Sequence, residues 1–262
     1  MEKILNKEKK PIVVYTALFG EYDFLVDPRE AYDGYDFICF TDQENLKTEI
    51  WKIIKVEESF VSPITANRHF KWHPHLYFND YEISLYLDSN IVLYKDPSEM
   101  IEKYLQQSDI AMPKHPFRNC LYEEAVACIK ENKTTLNKLY RQMLYYKHSD
   151  YPKAAGLAEQ SIIIRRHNRS NVKRVMELLW EELGRWKNYR DQIAFPYVIW
   201  KSQEKISFMG ENSRANREFI YISHQDKERA LSFIERIFVA IRARRRRFVD
   251  VNLMKMVLKC IK

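Results

Sequence analysis

Short apolar segments alternate with stretches of helical periodicity along this chain, and that alternation limits the fold more than any other feature. The apolar segments are rich in β-branched and aromatic residues and span residues 11–17, 35–40, 51–56, 83–87, 109–112 and 162–164. Helical spacing covers residues 64–78, 97–107, 121–146 and 172–183, with 191–200 helical or extended. Strands that alternate with helices form a mainly parallel sheet with helices packed on it. We therefore expect an α/β fold whose ligands gather at the carboxyl ends of the strands.

Length and composition indicate one large globular domain with appendages. The 262 residues suffice for a substantial core but not for two domains of ordinary size. The four cysteines show no paired CxxC spacing, which argues against a zinc knuckle and a disulfide framework. No run reaches the roughly 18 apolar residues of a membrane span, and the N-terminus is too charged for a signal peptide. We therefore expect the protein to stay in the cytoplasm.

The positive charge is concentrated at the C-terminus. Of the net charge of +7, residues 229–262 contribute ten Lys or Arg against two acids, so residues 1–228 are close to neutral. Apolar residues recur at helical spacing within this segment: Ile234, Ile237, Phe238 and Ile241, and then Met254, Val257, Leu258 and Ile261. A basic amphipathic segment of this kind is typical of attachment to an anionic membrane surface.

We accordingly divide the chain into a domain of residues 1–228 and a basic amphipathic tail of residues 229–262. The tail is expected to hold the protein at the inner face of a membrane. A partner helix or a nucleic acid would also suit a basic segment. A nucleic-acid arm has no need for apolar residues at helical spacing, so we do not expect nucleic acid as the partner.

An acid and an amide follow directly on the apolar segment 83–87, as Asp88, Ser89 and Asn90. Oxygen ligands two residues apart can bind one Mg²⁺ or Mn²⁺, which in turn neutralises a diphosphate. An Asp-Ser-Asn tripeptide by itself is more often a turn after a strand. Its position at the end of a buried strand favours a nucleotide-sugar site with Asp88 and Asn90 as metal ligands.

Two further groups of cationic and imidazole side chains are candidates for ligand binding. Arg68 and Lys71 share one face of a helical stretch and can hold a diphosphate, although a solvated helix face has the same pattern. His115 and Arg118 flank a proline in a segment that predicts a loop near the sugar or acceptor. Ordinary loop polarity is the alternative for that second pair.

Six motifs, in a fixed order, resemble one known family. They are VYTALFGEYD at 14–23, ICFTD at 38–42, NRHFKWHP at 67–74, YLDSN at 86–90, KHPFRNCLYEEA at 114–125 and RDQ at 190–192. Together they resemble the glycosyltransferase-like family catalogued as domain of unknown function 616, which includes plant proteins linked to mucilage pectin synthesis. The resemblance spans residues 11–224. It implies a GT-A (Rossmann-like) fold and transfer of a sugar from a nucleoside diphosphate donor to a glycan or lipid-linked acceptor, in surface polysaccharide synthesis.

The resemblance also implies roles for single residues. Asp88 matches the first metal-binding acid, Asn90 takes the place of a second, and His224 stands where related transferases have a third ligand for Mn²⁺ or Mg²⁺. Asp191 and Gln192 resemble the catalytic pair that several retaining enzymes place beneath the reacting sugar. A carboxylate or amide there stabilises an oxocarbenium-like transition state. Helix capping by Asp191 is the alternative.

The remaining implied roles concern the sugar nucleotide and the acceptor. By the same resemblance, donor binding would include Thr16, Ser89, Gly156 and Leu157 beside Arg68 and Lys71. Glu159 would join His115 and Arg118 in binding the sugar or the acceptor.

Two other function classes stay open on the sequence. A sugar-nucleotide pyrophosphorylase would carry a Gly-rich phosphate loop after its first strand, whereas residues 20–23 contain one glycine. A non-catalytic protein that binds nucleotide sugars or glycans with a degenerate site would explain Asn90 in place of an acid. Donor hydrolysis separates that second class from an active transferase.

Overall fold

The computed structural model describes residues 10–21, 23–210, 218–222 and 249–259. The strands are β1 (Lys10–Leu18), β2 (Tyr35–Thr41), β3 (Lys52–Lys55), β4 (Tyr81–Leu87), β5 (Ile91–Leu93), β6 (Ile110–Pro113), β7 (Ile162–Arg165), β8 (Ser207–Met209) and β9 (Phe219–Tyr221). The helices are α1 (Pro63–Trp72), α2 (Pro74–Tyr77), α3 (Ser98–Leu105), α4 (Leu121–Lys130), α5 (Leu136–His148), α6 (Ser170–Trp186) and α7 (Asp191–Ser202). A further helical segment covers residues 249–259.

Seven strands form one central sheet in the order β3-β2-β1-β4-β7-β6-β8. The pairs β1·β2, β2·β3, β1·β4 and β6·β8 are parallel, and β7 runs antiparallel to both of its neighbours, β4 and β6. Strands β5 and β9 pair in a separate antiparallel ribbon. The prediction of a mainly parallel α/β sheet is confirmed.

Both faces of the sheet are buried, which explains why its strands read as nearly continuous apolar runs. Successive residues of β1 alternate between two cores. Tyr15 and Ala17 pack with Phe70 and Trp72 of α1 and with α6 and α7. Val14 and Leu18 pack on the opposite face, where α3 contributes its apolar side chains. The sheet is therefore fixed by helices on both sides, and its carboxyl edge is left for ligands.

Proline and capping residues determine where the helices begin and end. Ser62 caps α1 by accepting a hydrogen bond from the amide of Thr65 at 3.1 Å, and Pro63 takes the first helical position. The helical stretch predicted for residues 64–78 is divided after Trp72, because Pro74 has no amide hydrogen to continue the ladder. Asn132, with a φ of 59°, lies between α4 and α5 and divides the stretch predicted for 121–146.

A third core lies between α4, α5 and α7 and is completed by the C-terminal segment. Met254 is fully buried in it, and Val251 and Leu258 pack against it in part. Lys147 of α5 donates a hydrogen bond to the carbonyl of Leu258 at 2.7 Å. The apolar side chains of Met254 and Leu258, expected on a membrane, thus pack on the domain instead, because the cleft beside α4 and α5 offers them an apolar surface.

The other side of segment 249–259 carries a second set of apolar residues. Val249, Leu253 and Met256 are 51%, 41% and 55% exposed, at the spacing of one helical face.

The remaining predicted tail residues, at 229–248 and 260–262, lie outside the described residues. None of the helices that the structure describes is long and apolar enough to cross a membrane. The described cysteines, Cys39, Cys120 and Cys128, are free thiols.

Candidate functional site

Asp88, Ser89 and Asn90 stand at the carboxyl end of β4, and neighbouring segments hold each of them. The amide of Asp88 donates to the carbonyl of Ser161 at 2.8 Å, and Ser89 Oγ donates to Asp23 Oδ2 at 3.1 Å. Asn90 Nδ2 donates to the carbonyl of Ile222 at 2.8 Å. The motif is therefore fixed by the loop after β1, the start of β7 and the end of β9.

Asp88 and Asp191, which are 103 residues apart in sequence, share one cation. Lys71 Nζ lies 3.5 Å from Asp88 Oδ1 and 3.3 Å from Asp191 Oδ2, and the Lys71 side chain is 3% exposed. Arg68 Nε lies 3.1 Å from the same Asp191 oxygen. We call Arg68, Lys71, Asp88 and Asp191 the charge cluster. Its two acids and two bases balance, as burial requires.

The two carboxylates of the charge cluster have different environments. Asp88 is 36% exposed, so its carboxylate reaches the opening of the site. Asp191 is 5% exposed, and its Oδ2 also accepts a hydrogen bond from the indole nitrogen of Trp72 at 3.2 Å. Burial alone would raise the pKa of Asp191, but Arg68, Lys71 and Arg190 together with the Trp72 bond hold this pKa well below its usual range. Asp191 is therefore a fixed negative charge inside the protein.

Two tyrosines and a buried arginine hold Lys71 in position. Tyr86 donates to Asp88 Oδ1 at 3.0 Å, and the Lys71 ammonium lies 4.9 Å from the centre of the Tyr86 ring. Tyr15 and Arg165 both donate to the carbonyl of Lys71, at 2.8 and 2.6 Å. A cation at the last turn of a helix satisfies carbonyls that have no helical partner. The end of α1 is thus held in place, and with it the ammonium between the two acids.

Gln192, the second residue of the predicted catalytic pair, lies in the first turn of α7 beside the segment that leads into β7. Its Nε2 donates to the carbonyl of Ala158 at 3.3 Å. Asp191 Oδ1 accepts from the neighbouring Gln192 backbone amide at 3.2 Å, but the N-cap of α7 is Arg190 and no side chain caps this helix, so the capping alternative for Asp191 is not borne out. The amide side chain of Gln192 is only partly buried, in contrast to the enclosed carboxylate of Asp191.

Three buried polar side chains near the motif have no hydrogen-bond partner within the described part of the chain. They are the hydroxyl of Thr16, both amide atoms of Gln160 and the hydroxyl of Ser161. Gln160 is 5% exposed and lies two residues before β7, which pairs antiparallel to β4. Buried polar groups are normally satisfied, so these atoms indicate a place for a polar ligand or water.

Gln160, Ser161, Trp72 and Tyr86 were not predicted from the sequence. Gln160 and Ser161 directly precede the apolar run 162–164, and a polar pair before a buried strand was the one local signal available. Trp72 and Tyr86 lie inside two of the six motifs, but neither was given a role at the site.

The loop that carries His115 and Arg118 is held together by its own side chains. His115 Nδ1 accepts hydrogen bonds from the amides of Phe117 and Arg118, at 3.2 and 2.9 Å. Arg118 Nε donates to Glu124 Oε2 at 2.5 Å, and Glu124 is buried in α4. Both predicted side chains therefore stabilise the conformation of this loop. The loop backbone is also bonded to the segment 156–159, because the amide of His115 donates to the carbonyl of Leu157 at 2.9 Å.

Gly156, Leu157 and Glu159 lie on the segment between α5 and β7, and because β7 is antiparallel to β4 this segment approaches the edge of the sheet at which Asp88 lies. Leu157 is buried, and the amide of Glu159 donates to the carbonyl of Pro113 at the end of β6. Gly156 has a φ of +97°, and a side chain there would meet the ring of Phe208 at 3.0 Å. This position needs glycine because of its backbone conformation and because the ring lies against it.

Of the three predicted metal ligands, the structure describes Asp88 and Asn90. The described residues contain no group of three His, Cys, Asp or Glu that could hold a metal ion. Asp88 Oδ1 already contacts Lys71 and Tyr86, and Asn90 uses its amide nitrogen on Ile222. His224 lies outside the described residues, two positions beyond Ile222. The described residues fit a divalent cation only together with further oxygen or nitrogen ligands, such as those of a diphosphate.

The family comparison agrees with the resemblance seen in the motifs. Residues 2–224 match the model of the TOD1/MUCI70, glycosyltransferase-like domain. Two curated relatives are from Arabidopsis thaliana. "Alkaline ceramidase TOD1" is 28% identical over 230 residues, covering 74% of this chain and 49% of that protein. "Probable hexosyltransferase MUCI70" is 25% identical over 221 residues, covering 73% of this chain and 38% of that protein.

This chain thus spans half or less of the length of these two relatives. Among solved structures, the apo structure of the WbbM bifunctional glycosyltransferase aligns over 80% of this chain and 40% of its own, with a TM-score of 0.42 and 11% identity.

Proposed function

This chain belongs to the TOD1/MUCI70 glycosyltransferase-like domain family, and from that premise we propose that it is a glycosyltransferase. In this proposal a sugar passes from a nucleoside diphosphate donor to a hydroxyl of a glycan or lipid-linked acceptor, in surface polysaccharide synthesis. The bond from the anomeric carbon to the diphosphate oxygen breaks, and a bond to the acceptor oxygen forms. The acceptor proton leaves with the nucleoside diphosphate. The charge cluster at the carboxyl edge of the mainly parallel sheet is the observation that carries the proposal.

Within the charge cluster we assign different tasks to the two bases. The Arg68 side chain is 16% exposed, compared with 3% for Lys71, so its guanidinium is the group to contact the leaving diphosphate. Lys71 is too deeply buried for that task and instead holds the Asp88 carboxylate in place. Mn²⁺ or Mg²⁺, bound by Asp88 and Asn90 with His224, would neutralise the diphosphate.

The proposed reaction keeps the anomeric configuration. Asp191 Oδ2 is in contact with Arg68, Lys71 and Trp72, so it is poorly suited to attack the sugar itself. Its fixed charge stabilises positive charge that develops at the anomeric carbon. The partly buried amide of Gln192 is the group that would lie against the sugar. Proton NMR of the first product formed distinguishes retention from inversion.

The direct test is a thermal-shift screen of UDP-, GDP- and ADP-sugars with and without Mn²⁺. A ligand at 100 times its dissociation constant stabilises by about 2.7 kcal/mol, or about 5–11 °C in Tm for a domain of this size. Asp88→Asn should abolish the shift and the hydrolysis of the donor. Asp109→Asn is the matched control, because Asp109 precedes β6 at the opposite edge of the sheet.

Three results would overturn the proposal. The first is the absence of a shift with every nucleotide sugar. The second is a donor affinity of Asp88→Asn equal to that of wild type. The third is release of fatty acid from a ceramide substrate by a protein that ignores sugar nucleotides. Binding of a nucleotide sugar without hydrolysis or transfer would favour the non-catalytic alternative, and formation of nucleotide sugar from a sugar phosphate would favour a pyrophosphorylase.

We also propose that the chain attaches to the cytoplasmic face of an anionic membrane. The structure exposes Val249, Leu253 and Met256 on one side of segment 249–259, and Lys255 and Lys259 are exposed beside them. Four arginines at 244–247 directly precede this helix in sequence. Each basic residue near an anionic surface contributes roughly 1 kcal/mol, and the apolar stripe adds a part that salt does not screen. The membrane-facing side is then the outward stripe, since Met254 is buried.

A further inference from the structure

A groove of about 350 Å³ lies between α7 and β8, close to the charge cluster but separate from it. We call it the α7–β8 groove. Its walls include Gly156, Phe195, Trp200, Glu204, Lys205 and Phe208. Trp200 is 36% exposed and Phe208 is 38% exposed, although both are large aromatic residues that proteins usually cover. Two exposed rings facing one groove are typical of a binding surface.

The α7–β8 groove is joined to the candidate site by shared residues. Ala158 lines it, and the carbonyl of Ala158 accepts the hydrogen bond from Gln192. Phe195 lines it as well, and its ring stacks at 5.3 Å on Trp72, which donates to Asp191. Ala158 and Phe195 thus each line the groove and also contact a residue of the candidate site or its surroundings. The groove therefore begins directly beside the candidate site.

The strand order of the sheet sets how far β8, which forms one side of the groove, lies from β4, which carries Asp88 at its end. Strand β8 lies three places from β4 in the order β4-β7-β6-β8, and both strands point their carboxyl ends to the same edge. Strands in a sheet are about 4.8 Å apart, so β8, on the far side of the groove, lies roughly 14 Å across the sheet from β4, while Ala158 and Phe195 form the near side. A ligand that enters both places must be extended, with its reacting end at the charge cluster.

The chemistry of the walls indicates what that ligand is. A sugar ring has an apolar face of C–H groups, which packs on the electron-rich face of an aromatic ring, and a rim of hydroxyls that need polar partners. Trp200 and Phe208 offer the aromatic faces, while Glu204 and the exposed Lys205 supply a carboxylate and an ammonium at the margin. A hydrocarbon chain would use the apolar walls but offer the exposed ammonium of Lys205 no polar group, whereas Glu204 Oε2 already lies 3.5 Å from Asn171 Nδ2.

We propose that the α7–β8 groove binds sugar rings of a glycan acceptor, behind the ring that receives the new sugar. This inference rests on the proposed transferase function for the identity of the acceptor, but the binding itself can be measured without any donor. A larger cavity of about 460 Å³ beside β3 shares no lining residue with the candidate site and serves as the internal control.

The test is binding of the purified chain to an array of defined oligosaccharides with hexose, N-acetylhexosamine and uronic acid repeats. Phe208→Ala and Trp200→Ala should each weaken binding at least tenfold for the glycans that wild type retains. Tyr77→Ala is the matched control, because Tyr77 is 39% exposed and lines the cavity beside β3. Lys205→Glu adds a variant whose exposed side chain carries no packing, so loss of binding there does not stem from unfolding.

Donor binding in the thermal-shift screen should be the same in all four variants. That readout separates the two proposals, since a failed donor screen counts against the transferase and leaves the glycan result intact. Wild type that binds no glycan on the array overturns the groove assignment. Equal glycan binding by Phe208→Ala, Trp200→Ala and Tyr77→Ala overturns it too, as does fatty-acid binding that Phe208→Ala removes.

Discussion

Replacing Asp191 with Asn should destabilise the protein far more than the same change at a surface acid. In the structure Asp191 is the buried counter-charge of Arg68 and Lys71, and its substitution leaves two buried cations with Asp88 alone. Removing one partner of a buried ion pair costs about 3–5 kcal/mol. For a domain of this size that corresponds to a fall of about 6–20 °C in Tm.

The control is Asp109→Asn, whose ion pair with Arg166 at 3.2 Å is 26% and 29% exposed. Exposed pairs contribute about 0–1 kcal/mol, so its Tm should fall by less than about 4 °C. Differential scanning calorimetry of both variants gives the comparison. Adding Lys71→Met to Asp191→Asn restores the charge balance and should recover part of the loss, a coupling of about 1–3 kcal/mol.

The pH dependence follows from the lowered pKa of Asp191. A carboxylate whose folded pKa is depressed stabilises the fold above its unfolded pKa, and that contribution is lost as pH falls toward the folded pKa. The gap between wild type and Asp191→Asn should therefore be constant between about pH 5 and 8 and narrow below about pH 4. The reasoning is refuted if Asp191→Asn loses no more stability than Asp109→Asn, or if the double variant loses the sum of the two single losses.

Further predictions concern buried polar groups and the C-terminal segment. Gln160→Met should raise the Tm of the free protein, since it removes a buried amide whose lack of a partner costs about 1–3 kcal/mol. The same substitution should weaken nucleotide-sugar binding about tenfold, and thermal shift measures both effects. Burial lowers the pKa of His73 and of His167 to about 4, so each stays neutral in the fold. The unfolded chain binds their protons first, and stability to urea should fall as pH drops from about 6.5 to 4, with a slope that His167→Gln reduces. Met254→Asp should lower Tm, because Met254 is buried, whereas Met256→Asp should lower only the co-sedimentation of the protein with anionic vesicles. Equal effects of the two variants would contradict the assignment of Met254 to the inward face and Met256 to the outward face of this helix.

The sequence by itself determined the class of fold. Short apolar runs and helical stretches are local properties, and they predicted a mainly parallel sheet with helices on it. The Asp88 motif was also found locally, because an acid and an amide at the end of a buried strand have a position that the chain alone specifies. The order of β7 in the sheet, and its antiparallel direction, could not be predicted, since strand pairing depends on contacts between residues far apart in sequence.

Only the tertiary structure decided which of the predicted residues meet. Lys71 and Arg68 share a helix face, as their spacing indicated, but their partner Asp191 lies 120 residues beyond Lys71. That distance is closed by the packing of α1 against α6 and α7. In the structure Lys71 bridges Asp88 and Asp191 and is 3% exposed, while Arg68 contacts Asp191 and is 16% exposed. The burial of Met254 in the core of α4, α5 and α7 was also decided by tertiary structure, because an amphipathic pattern specifies an apolar face but not the surface that covers it.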